Sequence, residues 1–365
     1  MRRFEVGSAS ARHMRDLLLA FSMVLIQGCL WPGQIRAETY VFDTKNPVFG
    51  SGCPVCTLNA SGEFVREALK LDGKDIRLCE TCVGPKGSLY ISEHRLPPAL
   101  PADRSNGAPA PPTDPVAFGA TSALIRTEWA YKGLYSMGAA GPYQSTGAHP
   151  QMRALALIEA PIYIAVAVHA ESDIQSMEDL KQRKSLKIGV TLAADEPTIQ
   201  QTMLDYYGLT EAVLKANGDM LVPEKTETAD VIITDNAAFN GSVENRFWPA
   251  LTAKYNLRFL PLADPLRVKL AKEFWLRQVN MPRSFFPGVD NPVPTVARIG
   301  HLIYGRDDMP EQYAYDVARA LDRHKDLLQF MFIQMSYNSG TVTQTGVIPL
   351  HPGAARYYRE VGYLK

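Results

Sequence analysis

Four cysteines fall in two units of identical spacing, Cys53-Pro-Val-Cys56 and Cys79-Glu-Thr-Cys82. Four thiolates at this spacing can close a tetrahedral zinc site, and a single CxxC unit can act as a redox-active dithiol. In an oxidising compartment the same residues favour structural disulfides instead. The pattern leaves these chemistries open, and the connectivity cannot be deduced from it.

The N-terminus indicates the compartment. A basic stretch that includes Arg15 precedes an apolar run from Leu17 to Ile26, which is shorter than the about 20 residues that cross a membrane. Together with the cleavage signal Ile35-Arg36-Ala37, this predicts an export signal over residues 1–37. We expect a periplasmic mature chain without stable membrane insertion, and therefore favour disulfides over zinc. Lipoprotein anchoring through Cys29 is a less favoured alternative.

Composition excludes some partners. The chain has 365 residues, 46% hydrophobic and 21% charged, which is typical of a globular protein large enough for two domains. Its formal net charge is zero, so it lacks the basic field that nucleic-acid binding requires. The sequence also contains no nucleophile elbow, P-loop or His-Glu-x-x-His motif.

Strand-like and helix-like segments alternate along the chain, which predicts an α/β fold with parallel sheets. The apolar run Ile162–Val168 predicts a strand buried on both faces. Ser176 and Asp179 have capping-box spacing, with Asp in the place of the usual Glu. The other predicted strands are Thr39–Phe42, Asp75–Leu78, Leu186–Val190, Asp230–Thr234 and Pro294–Tyr304, and the predicted helices are Ser61–Lys70, Pro197–Tyr207 and Met309–Met331.

The C-terminal residues resemble a family signature. A Pro349–Ala354 turn of sequence Pro-Leu-His-Pro-Gly-Ala runs into Arg356-Tyr-Tyr-Arg-Glu360. This resembles the end of the TAXI group of TRAP-transporter solute-binding proteins. Blocks at Ser172–Lys181 and Asn291–Ala297 are similar to that family in the same order. The resemblance covers roughly Ile125 to Gly362.

The resemblance implies a type II periplasmic-binding-protein fold, in which two α/β lobes are joined by crossover strands and enclose a ligand cleft. The implied division is lobe I at 38–168, lobe II at 169–290 and a return to lobe I at 291–365. The implied function is capture of a small polar molecule or organic acid for a TRAP-type permease, with no enzymatic activity and no cofactor. The alternatives are an ABC-type binding protein of the same fold and a periplasmic metal- or redox-handling protein that uses the CxxC units.

Candidate ligand-binding residues come from turns expected at strand ends. Where the family usually carries a Gly-rich loop that presents N–H groups to an anion, this chain has Asp195 and Glu196, which favours a polar or cationic ligand. His351 is expected to have a structural role in its turn. The candidates are Lys86, Gly87, Ser88, Thr191, Asp195, Thr198, Asp235, Asn236 and the aromatic Tyr143.

Overall fold

The chain divides into two units, Met1–Val41 and Phe42–Lys365, and all elements below belong to the second. The predicted signal at 1–37 lies outside the described residues. The computed structural model describes residues 40–51, 57–80, 82, 87–96, 112–121, 128, 130–133, 147–191, 199–238, 246–274, 276–331 and 335–365.

Within these ranges, ten strands form one mixed sheet. The longest two, β4 and β10, supply most of the sheet's length. The strands are β1 (Val48–Gly50), β2 (Arg77–Cys79), β3 (Val116–Thr121), β4 (Met152–His169), β5 (Lys187–Val190), β6 (Met220–Pro223), β7 (Val231–Ala237), β8 (Leu257–Leu260), β9 (Arg277–Met281) and β10 (Val293–Arg306).

Helices connect the strands. The predicted capping box opens a short 3-10 helix at Met177–Gln182, where the Asp179 carboxylate accepts the N–H of Ser176 at 2.9 Å. The α-helices are α1 (Thr57–Leu71), α2 (Gly87–Ser92), α3 (Ile199–Tyr206), α4 (Glu211–Asn217), α5 (Phe247–Lys254), α6 (Asp264–Phe274), α7 (Glu311–Arg323), α8 (Leu327–Met331) and α9 (Pro352–Glu360).

The sheet repeats one arrangement twice. In the first half the order is β2-β1-β3-β10-β4, with β1 parallel to β2 and β3, and β10 antiparallel to both of its neighbours. In the second half the order is β6-β5-β7-β4-β8, with β5 parallel to β6 and β7, and β4 antiparallel to both of its neighbours. Each half is thus a parallel α/β unit with one antiparallel strand inserted. The predicted α/β fold of type II periplasmic binding proteins is confirmed by this topology.

Strand β4 belongs to both halves, and β10 pairs with β9 at Val293–Ala297 before it pairs with β3 at Leu302–Tyr304. Residues Met152–Tyr163 of β4 pair with β10, whereas Tyr163–Val168 pair with β7. The change of partner falls next to Pro161, which has no N–H to donate. Opposite it, Gly300 allows a close approach, because a Cβ there would lie 2.1 Å from the carbonyl oxygen of Ile158. The predicted strand Ile162–Val168 is buried throughout.

Two sequence predictions are wrong. No strand forms at Tyr40–Phe42; the Asp43 carboxylate accepts the N–H of Lys45 at 2.8 Å in a turn, and the first described strand begins only at Val48. The ring of Phe42 instead packs against the ring of Tyr313. The single helix predicted over Met309–Met331 is two helices, α7 and α8, separated by a turn after Arg323.

The C-terminal helix is capped as its sequence indicates. His351 is the residue before α9, and its Nδ1 accepts the N–H of Gly353 at 3.2 Å. Its Nε2 lies 3.0 Å from the carbonyl oxygen of Met309, which ties the helix to the end of β10. The structural role predicted for His351 is confirmed.

Candidate functional site

The carboxyl ends of the parallel strands face the region where the chain crosses between halves. In the second half, β4 runs antiparallel to β7. Its Tyr163 pairs with Ala237, the last residue of β7, and its Val168 pairs with Val231, the first residue of β7. In the first half, β10 enters beside Thr121, the last residue of β3. Both carboxyl edges therefore face the crossing strands, and open α/β sheets bind ligands at such edges. We call this region the crossing edge.

At the crossing edge of the second half, one buried carboxylate joins three strands. Glu224 follows β6 directly and is 7% exposed. It accepts the hydroxyl of Thr191, at the end of β5, at 3.1 Å and also the hydroxyl of Thr234 in β7. Because β5 lies between β6 and β7, this carboxylate spans the width of the strand ends. The cluster presents hydroxyl and carboxylate oxygens together.

Two predicted residues meet at this cluster. Thr191 is exposed and bonded to Glu224, and the backbone N–H of Asn236 donates to the Thr234 hydroxyl at 3.0 Å. Asp235 lies between Thr234 and Asn236 in β7, and its side chain is outside the described residues. Sequence reasoning missed Glu224 because β6, Met-Leu-Val-Pro, is a mostly exposed edge strand without a strand-like burial pattern. An acidic residue directly after a short apolar run is the signal that could have found it.

In the first half, the described residues include two predicted site residues, Gly87 and Ser88. Gly87 begins α2, and Ser88 is only 4% exposed. The helix packs against β3, and the buried hydroxyl of Ser88 is not presented to solvent. Other predicted site residues fall outside the described ranges, namely Lys86, Tyr143, Asp195 and Thr198.

Of the two CxxC units, the described residues include the cysteines of the second, Cys79 and Cys82. Cys79 and Cys82 form a disulfide with their Cα atoms 5.5 Å apart, and both residues are buried. The bond lies at the crossing edge of the first half, where the Ser51 N–H donates to the carbonyl oxygen of Cys79 at 3.1 Å. Cys53 and Cys56 are outside the described residues, so their state stays a prediction. Among the described side chains, no three of His, Cys, Asp or Glu come together in a way that could hold a metal ion.

A buried Ser–His pair lies in the first half. The Oγ of Ser61, on α1, lies 2.6 Å from the Nδ1 of His301, on β10. Burial lowers the pKa of His301 to about 4, so the ring is neutral. Since both residues are fully buried, the pair cannot reach a substrate, and its effect is to hold α1 against the sheet.

Glu159 lies at the middle of β4 and holds the returning chain. Its carboxylate accepts the hydroxyl of Thr341 at 2.5 Å, the amide of Asn338 at 3.2 Å and the hydroxyl of Ser336 at 3.2 Å. These bonds lie on the edge of β4 opposite β10 in the first half. The segment that precedes α9 is thereby anchored beside the crossing.

No helix among the described residues combines the length and apolarity needed to cross a bilayer. The fold and the site together define an α/β protein with two similar halves and a polar cluster at the crossing edge of the second half. The chain belongs to the NMT1-like family, whose model matches residues 120–362.

Solved structures with low similarity include three bacterial proteins. XAC2383 from Xanthomonas citri, bound to ATP, has a TM-score of 0.39 and 13% identity over 87% of this chain and 96% of that one. The periplasmic aliphatic sulphonate binding protein SsuA from Escherichia coli has a TM-score of 0.37 and 11% identity over 87% and 79%. R. palustris Rpa4515 with adipate has a TM-score of 0.38 and 11% identity over 88% and 97%. The fold assignment rests on the strand order and not on these low-scoring likenesses.

Proposed function

We propose that this protein is an extracytoplasmic solute receptor. In this proposal it captures a small polar molecule between its lobes and delivers it to a membrane permease of the TRAP type. The observation that carries the proposal is the repeated strand order, which turns the carboxyl edges of both halves toward the two strands that connect them. Binding between such edges allows the lobes to close on the solute.

The polar cluster at the crossing edge supports binding and not catalysis. Glu224, Thr191 and Thr234 form a carboxylate with two hydroxyl donors. The Glu224 carboxylate accepts a hydrogen bond from each hydroxyl, which fixes the position of both for contacts with a solute. Ser61 and His301, the pair that resembles a nucleophile and its base, are too deeply buried to act. The proposed receptor role involves no catalytic step.

The experiment is a native mass spectrum of the mature chain expressed in the periplasm. We expect a bound small-molecule mass that disappears on denaturation. A chain that carries only zinc would contradict the receptor proposal and favour the metal-handling alternative. A chain that never retains or binds any solute would also contradict it.

The kind of permease is a separate question. The TRAP assignment rests on the resemblance of the C-terminal block Pro349–Glu360, whereas the two-lobed fold is equally compatible with an ABC-type transporter. The neighbouring genes distinguish the two. A large fused permease supports the TRAP type, and a gene for an ATPase would overturn it.

A further inference from the structure

A short stretch of β4 has no partner strand along one of its two edges. Glu159 pairs with β10 on one side and with Ser336 of the returning chain on the other. Tyr163 pairs with β10 on that first side and with Ala237 of β7 on the other. Ser336 and Ala237 therefore lie along the same edge of β4. Between them, no segment in the described part of the chain pairs with Ala160–Ile162 on this edge.

This opening, which we call the β4 gap, lies directly beyond the carboxyl end of β7. Strand β7 runs antiparallel to β4 and ends opposite Tyr163, so its carboxyl end points along β4 toward Glu159. Tyr163 is four residues from Glu159, and at about 3.3 Å for each residue the gap is about 13 Å long. Pro161, at its middle, has no N–H to offer another strand. A small solute in this gap would lie at a carboxyl edge, where open α/β sheets bind their ligands.

At one end of the β4 gap, hydroxyl groups surround Glu159. Its carboxylate accepts the hydroxyl of Thr341 at 2.5 Å, the hydroxyl of Ser336 at 3.2 Å and the amide of Asn338 at 3.2 Å. Ser336 and Asn338 are exposed. A hydroxyl has one proton and a carboxylate has none. Because Ser336 and Thr341 give their protons to Glu159, their oxygens can only accept a hydrogen bond from a solute.

The strand ends at the other side of the gap follow the same rule. Thr234 lies in β7, three residues before Ala237, and its hydroxyl donates to Glu224. The hydroxyl of Thr191 donates to the same carboxylate, and Thr191 is exposed. The oxygen of Thr191 is therefore also left as an acceptor. Each end of the gap presents accessible hydroxyl oxygens, and a carboxylate already holds the protons of those hydroxyls.

This distribution of protons selects among solute classes. A dicarboxylate has only acceptors and cannot bond to these hydroxyl oxygens. A protonated amine is bound best by a carboxylate with free acceptor positions, whereas Glu159 already accepts three hydrogen bonds and Glu224 two. A neutral compound with several hydroxyl groups supplies one proton to each acceptor oxygen and requires no unpaired charge.

We propose that the solute binds in the β4 gap and that it is a small, neutral, polyhydroxylated compound. This inference rests on the proposed receptor function and names the substrate class of that site. Hydroxyl groups of the solute donate to Ser336 and Thr341 at the end near Glu159 and to Thr191 at the end near β7. The partner-free edge of β4 at Ala160–Ile162 is the floor between them.

The test is isothermal titration of the solute-free mature protein with xylitol, D-ribose and D-mannitol, and with succinate and putrescine as probes of the two other classes. We expect binding of at least one polyhydroxylated probe and of neither succinate nor putrescine. Ser336→Ala removes an exposed acceptor and should weaken that binding about three- to tenfold, the usual effect of one neutral hydrogen bond. The matched control is Ser339→Ala, also exposed and three residues further on, which should leave binding unchanged.

A second variant tests the opposite end of the gap. Thr191→Val keeps the shape of the side chain but removes its acceptor, and it should weaken the same probe about three- to tenfold. Because Ser336 and Thr191 stand at opposite ends of the gap, the double variant should show the product of the two effects.

Thermal denaturation separates binding from folding. Ser336→Ala changes an exposed residue, so it should melt within about 2 °C of the wild type. A Ser336→Ala protein that melts lower but binds the probe equally well would show that Ser336 only anchors the returning chain, which would overturn the proposal.

The remaining outcomes distinguish the inference from the receptor function. Binding of succinate or putrescine, binding of none of the three polyhydroxylated probes, or equal binding by Ser336→Ala and Ser339→Ala would overturn the polyhydroxylated solute. The receptor function would still stand if the native mass spectrum shows another bound solute. Absence of any solute in both experiments would overturn the receptor function itself.

Discussion

The hydroxyl of Thr234 donates to the carboxylate of Glu224 across the end of the intervening strand β5. The two residues are ten positions apart in the chain; Glu224 directly follows β6, and Thr234 lies within β7. Thr191, the residue after β5, donates to the other oxygen of Glu224. This cluster fixes the spacing of three strand ends and presents their polar groups to the crossing edge.

Glu224→Gln should weaken solute binding by about tenfold or more and lower stability by about 1–3 kcal/mol, because two hydrogen bonds lose their charged acceptor. Titration with the solute found by native mass spectrometry, together with urea denaturation, measures both effects. The control is Glu227→Gln, three residues further on, whose exposed ion pair with Lys254 should contribute about 0–1 kcal/mol. Equal effects of the two variants would contradict a role for the cluster.

Stability should fall in mild acid through His301. Burial lowers its pKa from 6.5 to about 4 in the folded state, so below pH 6.5 the unfolded chain binds the extra proton. The free energy of unfolding should therefore be highest above pH 6.5 and fall by up to about 3 kcal/mol as the pH falls toward 4. Urea denaturation across this range measures the slope.

His301→Gln should reduce that slope, and His169→Gln should leave it unchanged because His169 is only partly buried. A slope that persists in His301→Gln would assign the acid sensitivity to other groups. Ser61→Ala should separately destabilise the protein by about 1–3 kcal/mol, since it removes the partner of a buried ring nitrogen.

Gly353→Ala should displace α9 from α7. A Cβ at Gly353 would lie 2.0 Å from the carbonyl oxygen of Glu311 and 2.8 Å from the backbone nitrogen of Tyr315. We expect a loss of about 3 kcal/mol in the free energy of unfolding, at the upper end of the usual cost of overpacking. Thermal denaturation should show little change for the control Gly340→Ala, which lies in an exposed turn. Wild-type stability of Gly353→Ala would contradict the close helix contact.

The disulfide should join cysteines within one CxxC unit. Trypsin releases Cys79 and Cys82 together in the peptide Leu78–Lys86, and Cys53 and Cys56 together in Asn46–Arg66. In a non-reduced digest we expect the Leu78–Lys86 peptide alone and two hydrogens lighter than its reduced form. Its bond closes a short loop and should contribute only about 2 kcal/mol. A mass that corresponds to the two peptides linked together would instead show cross-pairing.

Much of the local structure could be predicted because it depends on neighbouring residues. Short sequence patterns predict three such features: the buried strand Ile162–Val168, the capping box of Ser176 and Asp179, and the capped helix after His351. The run Tyr40-Val41-Phe42 predicts a strand wrongly, because a short apolar run beside a turn has the same local pattern as a strand. The actual partner of Phe42, Tyr313, is far away in the chain.

The sequence by itself determined the alternation of strands and helices, the family signature and the polar character of the turns after β5 and β7. Only the tertiary structure decided that β4 belongs to both halves and that Glu224 stands at the crossing edge of the second half. Short patterns report how a segment hydrogen-bonds with itself and which face it buries. Which segments pack against each other depends on contacts between residues far apart in the chain. Ser61 of α1 and His301 of β10, for example, lie 240 positions apart, and no local pattern predicts that they meet.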